Sequence, residues 1–153
     1  MQAGKEKAKT RIYQAPTPYV AVFYGLLFLW TVGTVPFIVQ KFQQGLFRED
    51  WLYAFMIGFF YLFTWFWSLG LFYRIALDAD GQIRMRSLRR TLQISAQQVR
   101  IIEGSRFSGG FGFIRMKLSG ESAYLFCHRR NAHIEEILSE IRRMNPLVRT
   151  ARI

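Results

Sequence analysis

The sequence predicts a two-helix transmembrane hairpin followed by a small antiparallel β-barrel that a C-terminal α-helix closes. No charged side chain occurs between Pro18 and Gln40, and none occurs between Asp50 and Arg74. Each window has about the 20 apolar residues that an α-helix needs to cross the ~30 Å hydrocarbon core of a bilayer. After Tyr73 the pattern changes to short alternating runs of apolar and polar residues, which predict β-strands.

Charge divides the chain into four parts. We expect a basic cytoplasmic N-terminal tail at residues 1–18, and the hairpin at 19–73 with spans at about 19–39 and 51–73. A cytoplasmic domain follows at 74–148, and a basic tail ends the chain at 149–153. Residues 74–153 carry fifteen Lys and Arg against seven Asp and Glu. Their length allows one modest hydrophobic core.

The positions of the positive charges predict the orientation. Lys5, Lys7, Lys9 and Arg11 precede the first span with one acidic residue, Glu6, among them. Lysine and arginine accumulate on the cytoplasmic side of membrane proteins, and two spans place both termini on the same side. We therefore expect a multi-pass protein with cytoplasmic termini. The apolar window is too long for the hydrophobic region of a signal peptide.

The two spans differ in composition. Pro36 is expected to bend the first helix or end it early. In the second window, twelve of the 23 residues from 51 to 73 are aromatic. A flat pigment or quinone is one interpretation of these rings, but neither span has a histidine or charged residue to hold a cofactor, so lipid contact and helix packing are favoured. Ala54 and Gly58 allow close approach of another helix.

Six strands and one helix are expected after the spans. The dipeptide Asp80-Gly81 is typical of a two-residue hairpin turn. It lies between the first two of the strands, which are expected at residues 74–77, 83–88, 91–94, 99–103, 113–118 and 123–127 in an antiparallel meander. Asn131 is a suitable helix cap, and Asn145-Pro146 ends the helix that it begins.

This order resembles that of the bacterial pleckstrin-homology-like (PH-like) membrane proteins, in which two spans precede a small cytoplasmic PH-like domain. The resemblance covers residues 73–148. It depends on the Asp80-Gly81 hairpin, on Arg89-Arg90-Thr91-Leu92-Gln93-Ile94 with the following Val99, and on the segment 137–146. It implies a PH-like barrel at the bacterial inner membrane and no defined activity. The fold usually has seven strands, so a further strand is expected near residues 104–112, or the first strand is longer.

Basic residues on two strands are candidate contacts for anionic lipid or a partner. Arg84-x-Arg86 is similar to the basic strand with which some eukaryotic PH domains hold phosphoinositide headgroups, and Arg115-x-Lys117 repeats the spacing. Residues two apart share a strand face. Each cation held near an anionic leaflet contributes about 1 kcal/mol, and Lys5, Lys7 and Lys9 would add to this attraction. The alternative is a solvated basic face.

The loop between the fourth and fifth strands is glycine-rich and lacks the order of a phosphate-binding P-loop. Phe107 and Phe111 are candidates for contact with lipid or a partner, and a flexible connection is the alternative. Cys127, His128 and His133 lie close in sequence, but no carboxylate is spaced to orient either histidine. We therefore expect no catalytic residue, cofactor or metal site.

These observations predict a non-enzymatic inner-membrane protein that presents a PH-like interaction domain at the cytoplasmic face. The favoured role is a scaffold or accessory subunit of a membrane complex, with a protein partner or a second copy of the chain. The alternative is an anionic-lipid-binding protein that organises the membrane. The basic composition also suits nucleic acid, but no nucleic-acid motif is present, and membrane lipids account for the charge. No small-molecule substrate is indicated.

Overall fold

A computed structural model describes residues 10–45, 51–104, 111–128 and 131–151. The chain divides into two compact units. The first unit runs from Pro16 to Leu69 and contains two long apolar helices. The second unit combines the residues before Pro16 with those from Gly70 onward. The helical pair is therefore an insertion within the chain of the sheet unit.

The helical unit contains α1 (Thr17–Gln43) and α2 (Trp51–Leu69), and both are long and apolar enough to cross a membrane. No residue of α1 is buried. Pro36 lies inside α1 without ending it, because one proline removes a single amide donor from a ladder that continues on both sides. The second helix ends four residues before the predicted boundary at 73, because Phe72 already belongs to a strand.

Hydrogen bonds between side chains of α1 and groups on α2 hold the helical pair together. Tyr24 Oη donates to the Ser68 carbonyl oxygen (2.6 Å), Trp65 Nε1 donates to Thr31 Oγ1 (3.0 Å), and the hydroxyls of Thr34 and Tyr61 are bonded to each other. The Trp30 and Tyr61 rings stack with centroids 4.9 Å apart. Polar groups are thus placed at intervals along an otherwise apolar contact, which specifies how the two helices pair.

The described part of the sheet unit has eight strands. They are β1 (Arg11–Gln14), β2 (Phe72–Leu77), β3 (Gln82–Ser87), β4 (Thr91–Ser95), β5 (Val99–Gly104), β6 (Phe111–Leu118), β7 (Ser122–His128) and β8 (Arg149–Ala151). Their order is β4-β3-β2-β7-β6-β5-β8, and β1 also pairs with β2. The six strands predicted from the sequence are confirmed. Two further strands, β1 and β8, come from segments that the sequence analysis placed in the terminal tails.

The expected closed antiparallel barrel is not what forms. The sheet is mixed, since β2 pairs with β7 and β5 pairs with β8 in parallel. One edge of β5 is paired with β6 and the other with β8, so β5 has no free edge for β4. In the part of the chain that the structure describes, β4 pairs with β3 alone, and the sheet remains open.

The predicted C-terminal helix is confirmed as α3 (Ala132–Met144). The Asn131 side chain caps it by accepting from the His133 backbone amide at 2.9 Å. One face of α3 is buried with the inner face of the sheet, and the largest fully buried side chains of the two are Phe72, Ile75, Leu77, Ile83, Met85, Ile102, Met116, Leu125, Ile134, Ile137 and Ile141. This core fixes which side of β2 and β3 faces outward.

Candidate functional site

The outer face of β2 and β3 carries the densest group of arginines that the strand register brings together. Arg74 on β2 lies directly opposite Arg86 on β3, and Ala76 lies opposite Arg84. Ile75 and Met85, which alternate with these residues, are fully buried. Because successive side chains point to opposite faces of a strand, Arg74, Arg84 and Arg86 must share the outer face.

Neighbouring strands complete a depression around these arginines, which we call the arginine site. It has a volume of about 480 Å³ and is lined by Thr10, Ile12, Arg74, Ala76, Asp78, Arg84, Arg86 and Thr91. On one side lie Ile12 of β1 and Thr10, which precedes β1, and on the other side β4 contributes Thr91. The site therefore combines three guanidinium groups with two hydroxyl groups and a small apolar wall.

The charges of the arginine site are incompletely neutralised. Asp78 Oδ2 lies 3.8 Å from Arg84 Nη2, and this contact is partly exposed. Among the described residues, Arg74 and Arg86 have no carboxylate partner. Like charges directly opposite each other on neighbouring strands are destabilising, and opposed residues have Cβ atoms about 5 Å apart. The site thus carries three positive charges against one negative charge, an arrangement that an anion would relieve.

Guanidinium groups favour particular anions. Each presents several N–H donors in a planar fork that matches the oxygens of phosphate or carboxylate. The hydroxyls of Thr10 and Thr91 add donors of the kind that bond phosphate oxygens. The arginine site is therefore chemically suited to a phosphate-type anion, and it contains no arrangement of nucleophile and base.

The second predicted basic pair, Arg115 and Lys117, lies on β6 and does not join the arginine site. Arg115 is engaged within the sheet: its Nη1 lies 3.4 Å from Glu103 Oε2, and its guanidinium lies over the Tyr124 ring. Lys117 is exposed, beside the turn that contains Gly120. The two pairs have the same spacing in the sequence, but their surroundings in the structure differ.

The remaining predicted contacts are resolved in part. Lys5, Lys7, Lys9 and Phe107 lie outside the described residues. Phe111 begins β6, and the description does not extend to its side chain.

The cysteine and histidines noted in the sequence form no candidate metal site. Cys127 is buried, whereas His133 is exposed in the first turn of α3. The described ranges contain no group of three His, Cys, Asp or Glu side chains that could hold a metal ion.

An ion-pair network holds β1 against α3. Arg11 Nε lies 3.0 Å from Glu136 Oε1, and Arg11 Nη1 lies 2.6 Å from Glu140 Oε2. Arg143 forms a further pair with Glu140. The hydrogen bond from Arg11, with that from Arg143, lowers the pKa of Glu140 below its ordinary value, and the same bond raises the pKa of Arg11.

Tyr13 also fixes β1. Its side chain is buried, and its hydroxyl oxygen accepts a hydrogen bond from the His128 backbone amide at 3.0 Å. Burial raises the pKa of the Tyr13 hydroxyl, which keeps it neutral. The Ala15 amide then donates to the Tyr73 carbonyl at 2.7 Å, so β1 is bonded to β2 up to the start of α1.

Sequence reasoning missed Arg74 and the β1 contribution to the arginine site. Arg74 was expected on the first predicted strand, but it has no basic residue two positions away on that strand, so spacing alone did not single it out as a candidate contact. A signal for β1 was present in Arg11-Ile12-Tyr13-Gln14, where polar and apolar residues alternate as in a strand. Its partner strand lies more than fifty residues later, beyond the reach of local patterns.

The helical unit has a separate apolar groove of about 390 Å³. Its lining consists of Val35, Ile38, Phe42, Ala54, Ile57, Gly58, Tyr61 and Leu62. Gly58 has open space where a Cβ would project, so the predicted small-residue pair does face a gap. The lining contains no charged side chain, so the groove could select a ligand by its shape but not by its charge.

Fold and site together define a protein with two long apolar helices inserted into a mixed-sheet unit that carries an arginine-rich outer face. No model of a known protein family, no curated protein and no solved structure matches this chain.

Proposed function

We propose that this protein is a non-enzymatic, multi-pass protein of the bacterial inner membrane, and that its PH-like domain binds anionic lipid headgroups at the cytoplasmic face. The observation that carries the proposal is the directly opposed pair Arg74 and Arg86, which has no carboxylate partner among the described residues. A fold that maintains such a pair gains stability when an anion occupies the site.

The exposed apolar helices support a membrane location. Large side chains are exposed along both helices, with Leu29 at 65% and Leu62 at 74% of their full accessibility. Continuous apolar surface of this extent is characteristic of membrane contact or a protein interface. The cytoplasmic orientation follows from the positive charges of the tail and of the sheet unit.

The short connections between the apolar helices and the sheet unit support lipid as the ligand. Two residues, Gly70 and Leu71, connect α2 to β2, and two residues, Ala15 and Pro16, connect β1 to α1. If the helices cross a bilayer, these short connections keep the sheet unit close to headgroups. Anionic lipids at that surface supply phosphate groups at high local concentration, which favours even weak individual sites.

The experiment that tests this proposal uses the full-length protein in neutral detergent. Native mass spectrometry during titration with phosphatidylglycerol or phosphatidylcholine resolves individual bound lipids. We expect tight phosphatidylglycerol binding that is at least about 10-fold weaker in the Arg84→Glu/Arg86→Glu variant, since charge-assisted hydrogen bonds contribute about 1.5–3 kcal/mol each.

The matched control is Arg142→Glu/Arg149→Glu. These arginines are exposed on α3 and β8, outside the arginine site, and their reversal changes the net charge by the same amount. If phosphatidylglycerol binding weakens equally in both variants, overall charge explains the effect, and a defined binding site is contradicted. Equal affinity for the two lipids would contradict anionic recognition.

A scaffold or accessory subunit is the second candidate, and one observation favours it. In the described chain β4 pairs with β3 alone, which leaves its other edge with unpaired backbone groups. Such an edge accepts a strand from a partner protein. Substitution of Gln93 by proline would then remove partner binding and leave lipid binding intact, because a proline cannot donate to an added strand.

A further inference from the structure

One face of the first strand, β1, borders the arginine site, and the other face is buried in the sheet unit. Thr10 and Ile12 line the arginine site. The alternating residues Tyr13 and Ala15 are buried, at 2% and 3% of their full accessibility. The strand and the two residues that flank it, Thr10 and Ala15, thus join the arginine site on one side to the interior of the sheet unit on the other.

The attachment of β1 is made of a few separable contacts. Four register pairs connect it to β2. Arg11 bonds to Glu136 and Glu140 on α3, and the buried Tyr13 hydroxyl accepts from the His128 amide. Partly exposed ion pairs contribute modestly to stability, and short peripheral strands open more readily than the core of a sheet. Of the strands that line the arginine site, β1 is the shortest, and among the described strands it pairs with β2 alone.

We infer that β1 is a ligand-linked latch: occupation of the arginine site by a phosphate-type anion and docking of β1 through Arg11 stabilise each other. This inference deepens the proposed function and rests on it. Docked β1 supplies the wall of Thr10 and Ile12, and an undocked strand withdraws that wall from the anion. By linkage, an anion that binds only the complete site must favour the docked strand by the same factor.

The role assigned to Arg11 is positioning, since its guanidinium bonds to α3 and does not line the arginine site. Its neighbour Thr10, which precedes β1, lines the depression. The strand is also the segment that precedes α1, with only Ala15 and Pro16 between them. Docking of β1 thus determines whether the chain before the first apolar helix is ordered against the sheet.

Hydrogen–deuterium exchange of the full-length protein in neutral detergent tests the latch. The probes are inorganic phosphate, phosphatidylglycerol and phosphatidylcholine, each added to separate samples. We expect exchange of the amides in residues 11–14 to slow at least about 5-fold with the anions, the lower range of coupling between linked sites. Slowing by phosphate alone assigns the site to free phosphate groups, and slowing only by phosphatidylglycerol assigns it to lipid headgroups.

Affinity measurements with two α3-contact variants provide the second readout. Arg11→Ala removes the two ion pairs that help to dock β1 on α3 and is expected to weaken binding of the effective anion about 5-fold, with Arg74, Arg84 and Arg86 unchanged. Arg143→Ala is the control, because it also removes an ion pair with Glu140, but both partners of that pair lie on α3. Weakening in Arg11→Ala and not in Arg143→Ala supports the inference.

Two results would overturn the latch and leave the proposed function standing. One is unchanged exchange in residues 11–14 when the wild-type protein is saturated with anion. The other is wild-type affinity in Arg11→Ala while Arg84→Glu/Arg86→Glu has lost binding. If the charge-reversal variant binds as tightly as wild type, the proposed lipid function itself fails, which is a separate outcome.

Discussion

Removing the hydroxyls of Tyr24 and Tyr61 should destabilise the helical pair, because each hydroxyl donates a hydrogen bond between the two helices. Tyr24 donates to the Ser68 carbonyl, in the last turn of α2, where carbonyls lack an intrahelical partner. Thr34 Oγ1 already donates to the Trp30 carbonyl at 2.7 Å, so in its bond with Tyr61 the tyrosine is the donor. Substitution by phenylalanine deletes each donor and retains the ring.

The magnitude follows from the environment of these bonds. Interhelical hydrogen bonds in membrane proteins contribute about 0.6 kcal/mol on average and reach ~1.7 kcal/mol. We expect Tyr24→Phe and Tyr61→Phe each to lower the free energy of unfolding within this range. The double variant should lose about 1–3 kcal/mol, since the two bonds share no residue. Stacking of ring 61 on Trp30 should persist.

The assay is unfolding of the full-length protein by titration with a denaturing detergent in lipid bicelles, followed by tryptophan fluorescence. Trp30 and Trp65 both contact the bonded side chains and report on the pair. Tyr53→Phe is the matched control, because Tyr53 on α2 is 62% exposed. The prediction would be refuted if Tyr24→Phe and Tyr61→Phe, like the control Tyr53→Phe, unfold at the wild-type midpoint.

Further predictions concern the sheet unit, with thermal unfolding as the measurement for each. Asn145→Ala removes a buried amide that donates to two carbonyls at 3.0 and 2.9 Å, and should cost about 2–4 kcal/mol; an unchanged melting temperature would contradict this. Gly81→Val should cost at least ~1 kcal/mol, because Gly81 has φ 77°, whereas substitution at the exposed Gly120 should be mild. The lowered pKa of Glu140 stabilises the fold above its ordinary value of 4.5, and that contribution is lost as pH falls through the folded value. Glu140→Gln should therefore flatten the decline of stability below about pH 4.5, and an identical acid profile would contradict the pair with Arg11.

Local patterns predicted most of the elements because their causes are local. The hairpin predicted at Asp80-Gly81 forms and Gly81 has the positive φ that glycine readily adopts, but the connection has four residues, 78–81, and the Gly81 amide donates to the Asp78 carbonyl at 3.0 Å. The alternation along β3 placed Ile83 and Met85 inside, and both are fully buried. Asn131 caps α3 as its side chain predicts.

The errors came from pairings between distant segments. Pairing of β1 with β2 connects Tyr13 to Ile75 across the whole helical insertion. Pairing of β8 with β5 connects Arg149 to Ile101 and occupies the edge that barrel closure would need. A sequence specifies such pairs through the burial of their side chains in a common core, which single-sequence periodicity does not register.

The same distinction applies to the arginine site. Arg84-x-Arg86 could be found from spacing, because both residues lie on one strand. Arg74 joins them only through cross-strand register, and Thr10 and Ile12 join through a strand that precedes the apolar helices. Arg115, a cation predicted from the same spacing, lies outside the arginine site and pairs with Glu103 at 3.4 Å.

The most direct test of the account is to recover the full-length protein from bacterial membranes in native lipid nanodiscs and to quantify both lipids and proteins by mass spectrometry. We expect anionic lipid to be enriched over the bulk membrane around the wild-type protein. This enrichment should be lost in Arg84→Glu/Arg86→Glu and retained in Arg142→Glu/Arg149→Glu. The result that would contradict lipid recognition is the lipid composition of the bulk membrane around the wild type and both variants. Recovery of one protein complex in stoichiometric amount would then favour the accessory subunit.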